Sequence, residues 1–426
     1  MIHKFRFWLS GLLLVVFMFS SEEVFSQNLK KLFPKTLQVK VTNPLNQPRE
    51  SAMVFVSEAD IKRIAPKFNP KAFVVLDGGK EIASQYNLKA DKGIVLVLDN
   101  MAPDAAHNLT IRYHEKGEVK RDYKKRTQAE ISHKVGGKFE KRKYIGGEFR
   151  NVDSLRVPAE HTDHSFYIRY EGPGWESDKV GYRFYLDWRN GVDVFGKRTN
   201  DMVLQQVGLD GFDSYHELQP WGMDVLKVAS SLGVGSLAMF HNGEAERIAK
   251  TDSLISKVVE NGPVYSSIQT GYYGWQVAGQ ELDLHSTLSI HAGTRLSHQQ
   301  VQLEGGNPQN ISTGLINDKK AKLFTNKGNG KQWGYIATYG KQSLNGEGDN
   351  LGIAVLYNPK DLIEITQDKN SHVVVLKPEA NKAEYYFLAA WELEPDGIKT
   401  GEQFIEYLNK AAQELANPVK VSLSRK

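Results

Sequence analysis

Between Leu37 and Leu388 apolar residues come in short runs of strand formers, broken every few residues by glycine, asparagine, aspartate or proline, and a helical period is almost absent. Leu37-Gln38-Val39-Lys40-Val41, Met53-Val54-Phe55-Val56, Phe73-Val74-Val75-Leu76 and Ile94-Val95-Leu96-Val97-Leu98 open the series, with Asn43-Pro44, Asp77-Gly78-Gly79 and Asp91-Lys92-Gly93 between them. Ile353-Ala354-Val355-Leu356-Tyr357, Val373-Val374-Val375-Leu376 and Tyr385-Tyr386-Phe387-Leu388 continue it. Runs this short, bounded by turn formers, are strands rather than helices. The alternation of strand and helix that builds a parallel sheet is missing. The best helical signal lies in residues 401–415, where Phe404, Leu408, Ala411 and Leu415 share one face and Pro418 follows the stop. The chain is therefore expected to be mainly β: a small N-terminal β-sandwich region over residues 27–130, then a large antiparallel β-supersandwich over residues 131–426 with a short C-terminal helix.

Such a fold must hold by its core alone, because the 426 residues include no cysteine. Disulfides, thiolate metal sites and cysteine nucleophiles are excluded together. A hydrophobic content of 40% with 24% charged residues is ordinary globular composition. Lys4 and Arg6 precede the apolar run of residues 8–19, and Val24-Phe25-Ser26 precedes Gln27, the pattern of a signal peptide over residues 1–26. No later stretch is apolar enough to cross a membrane, so the expectation is an exported chain, periplasmic or secreted, with no transmembrane segment after signal cleavage. The formal charge of +4 decides nothing. The basic run of residues 120–143 is either a solvated connector or a polyanion-binding stretch. For an exported protein nucleic acid is not the expected partner, whereas an acidic polysaccharide is a plausible one.

The densest chemistry lies in Glu171-Gly172-Pro173-Gly174-Trp175-Glu176-Ser177-Asp178, read as a loop between strands over residues 165–170 and 182–189. In the second strand Tyr182, Phe184, Leu186 and Trp188 would fall on one face, with Arg183, Tyr185, Asp187 and Arg189 on the other. That polar row suits an anionic, hydroxyl-rich ligand; its plainer alternative is a solvated face with cross-strand ion pairs. A second cluster surrounds His216, with Asp213, Glu217, Trp221 and Asp224 nearby. An imidazole there could serve as base, acid or metal ligand, or hold a structural hydrogen bond. A third candidate face places Asp283, His285 and His291 on one side of a strand, though i, i+6 histidines are about 20 Å apart and cannot share an ion. His161-Thr162-Asp163-His164 reads as a polar turn before a metal site. No metal ligand set is assigned, and no cofactor is clearly required.

The segments from Glu171 to Asp178, from Tyr182 to Asp187 and from His216 to Asp224 resemble those of a largely uncharacterised exported family from bacterial polysaccharide-utilisation loci, which includes an ulvan oligosaccharide dehydratase. The resemblance implies a supersandwich like those of galactose-mutarotase and polysaccharide-lyase domains, and a lyase that removes water from the nonreducing-end uronic acid of an acidic oligosaccharide. Chain cleavage by a polysaccharide lyase, glycoside hydrolysis, epimerisation and glycan binding without turnover remain open beside it. Such elimination needs a base, neutralisation of the substrate carboxylate and an acid for the departing hydroxyl. On chemical grounds Arg183 is expected to clamp the carboxylate and His216 to be the base or acid, with Tyr185 or Glu176 as its counterpart. Trp175 and Trp221 are expected to stack on sugar rings, with Arg169 and Asp187 completing the binding surface.

Overall fold

The computed structural model describes residues 28–89, 91–346 and 348–425; the expected signal peptide lies outside them. The protein is mainly β, with antiparallel sheets and a short helix on the C-terminal side. It divides into two compact units: residues before Arg49 with Met53–Lys124 and the residues from Val419 on, and Arg49–Ala52 with Lys125–Pro418. Among the described residues no helix is long and apolar enough to cross a membrane.

In the first unit a five-stranded sheet runs in the order Lys420–Arg425, Lys35–Thr42, Ala106–Tyr113, Phe73–Asp77, Lys80–Ile82. Alternation decides its inner face, since Leu37, Val39 and Val41 are buried while the residues between them are not. A three-stranded sheet of Arg49–Ser57, Gly93–Met101 and Ser84–Asn87 accompanies it.

The second unit is built on a nine-stranded antiparallel sheet, of which the strands Gly334–Gly340 and Leu351–Tyr357 are buried on both faces. In Leu351–Tyr357 every residue is buried. Leu351, Ile353, Val355 and Tyr357 join the main core, whereas Ala354 and Leu356 pack under the helix Gly401–Ala416 with Phe404 and Leu408. This double burial is why the strand reads as an unbroken apolar run. The helix starts at a capping box, in which the Thr400 side chain accepts from the Gln403 amide and the Gln403 side chain returns to the Thr400 amide.

Two five-stranded sheets cover the other face of the main core. One runs Glu244–Arg247, Ala238–His241, Ile311–Ile316, Ser371–Leu376, Leu362–Gln367. The other, which carries the candidate site, runs Gly222–Asp224, Val192–Lys197, Gly181–Phe184, Gly174–Ser177, Thr127–Glu130. Thr127–Glu130 thus belongs to a sheet of the second unit, although the sequence places it before the expected limit. The basic run is not one connector either: Ser132–Glu140 and Lys143–Asn151 pair as a two-stranded ribbon.

Local structure around the Gly-Pro-Gly segment departs from expectation. Gly174–Ser177 is itself a strand, paired with Gly181–Phe184, so the hairpin turns at Asp178-Lys179-Val180. Residues 165–170 are not a strand: they hold one isolated bridge and run into a 3₁₀ turn, Arg169–Glu171. The second strand stops at Phe184, so the alternation expected through Arg189 gives way to a turn.

Candidate active site

Arg183 and Asp193 stand directly opposite each other on the neighbouring strands Gly181–Phe184 and Val192–Lys197, and Asp224 pairs with Phe195 on the next strand out. Cross-strand neighbours on one face touch, so the register brings two carboxylates to one guanidinium. Arg183 donates from Nε and Nη2 to Asp193 Oδ2 at 3.2 and 2.9 Å, and from Nη2 to Asp224 Oδ2 at 2.5 Å. Its Nη1 donates to the Tyr215 hydroxyl at 2.9 Å and the Tyr170 carbonyl at 3.3 Å. All five guanidinium N–H groups are thereby used. Tyr185 donates its hydroxyl proton to Asp193. Only 2% of Arg183 is exposed. Burial opposes its charge, but Tyr185, Tyr215, Asp193 and Asp224 together hold the guanidinium firmly protonated. Burial, then repulsion from Asp193, pushes the Asp224 carboxyl well above its ordinary range against the pull of Arg183.

Over this buried cluster lies His216, the last residue of the single helical turn Asp213–His216, with 44% of its side chain exposed. Its Nδ1 lies 2.6 Å from the Phe212 carbonyl, which can only accept, so Nδ1 carries the proton and the neutral ring presents Nε2 as a lone pair. That Nε2 is 3.5 Å from Asp224 Oδ2. Asp224 is set by a hairpin in which Gly222 has φ +137°, and a Cβ there would stand 1.8 Å from the Gly196 carbonyl oxygen.

A second ionic knot adjoins the first. Arg189 grips Asp187 through Nε and Nη2, Glu171 Oε1 through Nη2 at 2.7 Å and Asp163 Oδ1 through Nη1 at 2.8 Å. Its guanidinium lies 4.0 Å from the centre of the Tyr185 ring, and Glu171 Oε2 is 3.9 Å from Arg183 Nη1, so the two knots share a wall. Asp163, His164 and Glu171 each offer one ligand atom within 4.8 Å of the others, a spacing that suits a metal ion. Arg189 already supplies positive charge to both carboxylates. The backbone here is strained: His164, Phe166, Tyr170 and Glu171 all have φ between 38° and 69°, a conformation that costs side-chain-bearing residues on the order of 1–3 kcal/mol each and collects at functional sites.

The expected site residues separate into two groups. His216, Arg183, Tyr185 and Asp187 come together in the knots just described. Arg183 has no donor left for a substrate carboxylate, which corrects its expected role as clamp. Burial raises the Tyr185 hydroxyl well above its ordinary range, so it is a hydrogen-bond donor and not a base. Asp187 is buried and held by Arg189. Glu176 lies elsewhere, fully buried, binding Lys197 Nζ at 2.7 Å and the amides of Val203 and Leu204 at 2.9 Å each; it ties the sheet to the following loop and cannot be the counterpart acid. Arg169 is buried against Glu130. Trp175 is 1% exposed, stacked on Tyr182 and packed against Phe184 and Phe387, so it is core and not a sugar platform. Trp221 remains half-buried, edge-on to Phe195. Asp283, His285 and His291 do share one side of the strand Gln280–His291 but converge on nothing: Asp283 accepts from the Gly274 amide and His291 contacts the Ala292 carbonyl.

Sequence reasoning missed Asp193, whose signal was an acid in the middle of the apolar run Val192-Asp193-Val194-Phe195. It also missed Trp188, which is 50% exposed in the turn between Asp187 and Arg189.

No curated protein matches this chain. Two solved structures from Enterococcus faecalis are similar to it at 10% identity: an alpha-mannosidase with a TM-score of 0.48 and a glycosyl hydrolase family 38 protein with a TM-score of 0.44. Each comparison covers 91% of this chain, which spans 46% and 47% of the two longer chains. A family profile described as a domain of unknown function, DUF4861, matches residues 41–421, and the chain belongs to that family.

Proposed function

We propose that this protein is an exported carbohydrate-active lyase, a dehydratase that eliminates water from the nonreducing-end uronic acid of acidic oligosaccharides such as ulvan fragments. The observation that carries the reading is the half-exposed imidazole of His216, whose Nδ1 is turned to the Phe212 carbonyl and whose Nε2 is left 3.5 Å from Asp224 Oδ2 at the edge of the Asp224–Arg183–Asp193 cluster. Nε2 takes the proton from the carbon beside the substrate carboxylate. The electron pair forms the carbon–carbon double bond, the β-carbon–oxygen bond breaks, and the imidazolium returns that proton to the departing hydroxyl as water. The balance closes on one residue, so neither Tyr185 nor Glu176 is needed as a second acid. Asp224 Oδ2, 3.5 Å from Nε2, lies where it can orient the transient imidazolium, and Arg183 holds that carboxyl in place without touching substrate. Trp221, still half-buried beside His216 in sequence, keeps its proposed role as a stacking platform.

Mass spectrometry of saturated uronate-terminated oligosaccharides tests the reading: the expected product has lost one water and keeps its chain length. Shorter unsaturated products would move the assignment to a chain-cleaving lyase, and shorter saturated products to a hydrolase. Altered stereochemistry at unchanged mass would mean an epimerase, and affinity without turnover a binding protein. Amino-terminal sequencing of the protein from the periplasm or medium, expected to begin at Gln27, tests the export.

A further inference from the structure

Binding an acidic sugar calls for a cation to meet its carboxylate, and the arginines of the two knots are committed: Arg183 to Asp193 and Asp224, Arg189 to Asp163, Glu171 and Asp187. Arg247 is different. It ends the edge strand Glu244–Arg247 and is partly buried, yet its hydrogen bond is to a neutral group, the Ser231 carbonyl, from Nη1 at 3.1 Å. No carboxylate of the described residues stands within ion-pair distance of it. Its other neighbour is the half-exposed Trp188, whose ring centre lies 6.0 Å from the guanidinium carbon. The charges acting on it from farther off are Arg189, which repels it, and Asp187 and Asp368, which attract it. Burial first and Arg189 second press the guanidinium below its usual value, as expected of a cation short of counter-charge.

Trp188 is presented by a rigid turn. Asp187 accepts from the Arg189 amide at 2.9 Å, its carbonyl accepts from the Asn190 amide at 3.0 Å, and Arg189 locks the same carboxylate from the side. The two residues flanking the indole are thus fixed inward while the indole stays in solvent. An indole face matches the apolar C–H face of a pyranose, and an arginine with donors to spare matches a carboxylate in two-point fashion. A pyranose with an apolar C–H face and a carboxylate at its edge is a uronic acid.

We propose that Trp188 and Arg247 form the subsite that receives the carboxylate-bearing sugar ring, Trp188 stacking on the ring and Arg247 binding the carboxylate. This subsite rests on the carbohydrate reading above but not on its elimination step, so it is tested by binding alone. Calorimetric titration would compare saturated uronate-terminated ulvan oligosaccharides with the same oligosaccharides after chemical reduction of their carboxyl groups. The wild-type protein is expected to prefer the uronate form. Arg247→Met should weaken uronate binding by about 10- to 100-fold, the worth of one charge-assisted contact, while leaving the reduced form unchanged. Arg247→Lys should retain part of the preference, and Trp188→Ala should weaken both ligands. His216→Ala should bind both as the wild type does while losing turnover, so a failed elimination chemistry leaves the subsite result standing. Equal wild-type affinity for the two forms, or undiminished uronate preference in a folded Arg247→Met variant, would overturn the subsite.

Discussion

At the scale of single residues, His216 and Arg183 carry opposite predictions although both were singled out as catalytic. His216 is exposed and bound to the fold by one hydrogen bond, so His216→Ala is expected to melt close to wild type while turnover falls about 10²- to 10⁴-fold. Arg183→Met leaves Asp193 and Asp224 buried without their cation. It is expected to cost about 3–5 kcal/mol of stability in chemical denaturation, with any loss of activity following from that. The two tryptophans are a second such pair. Trp175→Ala should destabilise by about 3–5 kcal/mol, whereas Trp188→Ala should leave the melting curve nearly unchanged. Sequence alone gathers the right residue types around His216 and Arg183 because ionisable groups are dense there. It cannot rank them, because Gly181–Phe184 is buried on both faces and alternation along it no longer separates inside from outside.

At the scale of elements, the long apolar strands and the helix Gly401–Ala416 were legible because period and capping agree, while the site loops were not. Residues 165–170 alternate like a strand, yet Phe166 and Tyr170 take φ values that no strand allows, in a segment where Glu171 and Asp163 grip Arg189. Such tertiary ion pairs leave no local trace in a sequence. The hairpin that positions Asp224 is a further case. Gly222→Ala must adopt φ +137° with its methyl against the Gly196 carbonyl, so the hairpin is expected to open. The signature would be loss of turnover with little change in far-ultraviolet circular dichroism, and a variant with wild-type kinetics would show that Asp224 needs no such fixing.

At the scale of the whole molecule, stability should depend on pH through a group far from the chemistry. Glu414, on the helix Gly401–Ala416, has its carboxyl pushed up to about 7 by burial, with Arg49 and Lys410 only partly offsetting it. The folded state therefore prefers the proton. This contribution is fully present below the ordinary carboxylate value of 4.5 and is lost as pH rises through about 7. Glu414→Gln should match the wild type near pH 4.5 and exceed it at pH 8 by up to about 3 kcal/mol; parallel stability curves across that range would place the carboxylate in water. A different consequence follows from the first unit's sheet, in which Lys35–Thr42 pairs along one edge with Lys420–Arg425. A ribosome delivers Lys35–Thr42 early and its neighbour only after the entire second unit has been made. Through most of synthesis the early strand therefore presents an unpaired row of amides and carbonyls, a template for joining another nascent chain. Removing the residues after Pro418 would make that temporary exposure permanent, so such a truncation is expected to clump through its opposite end.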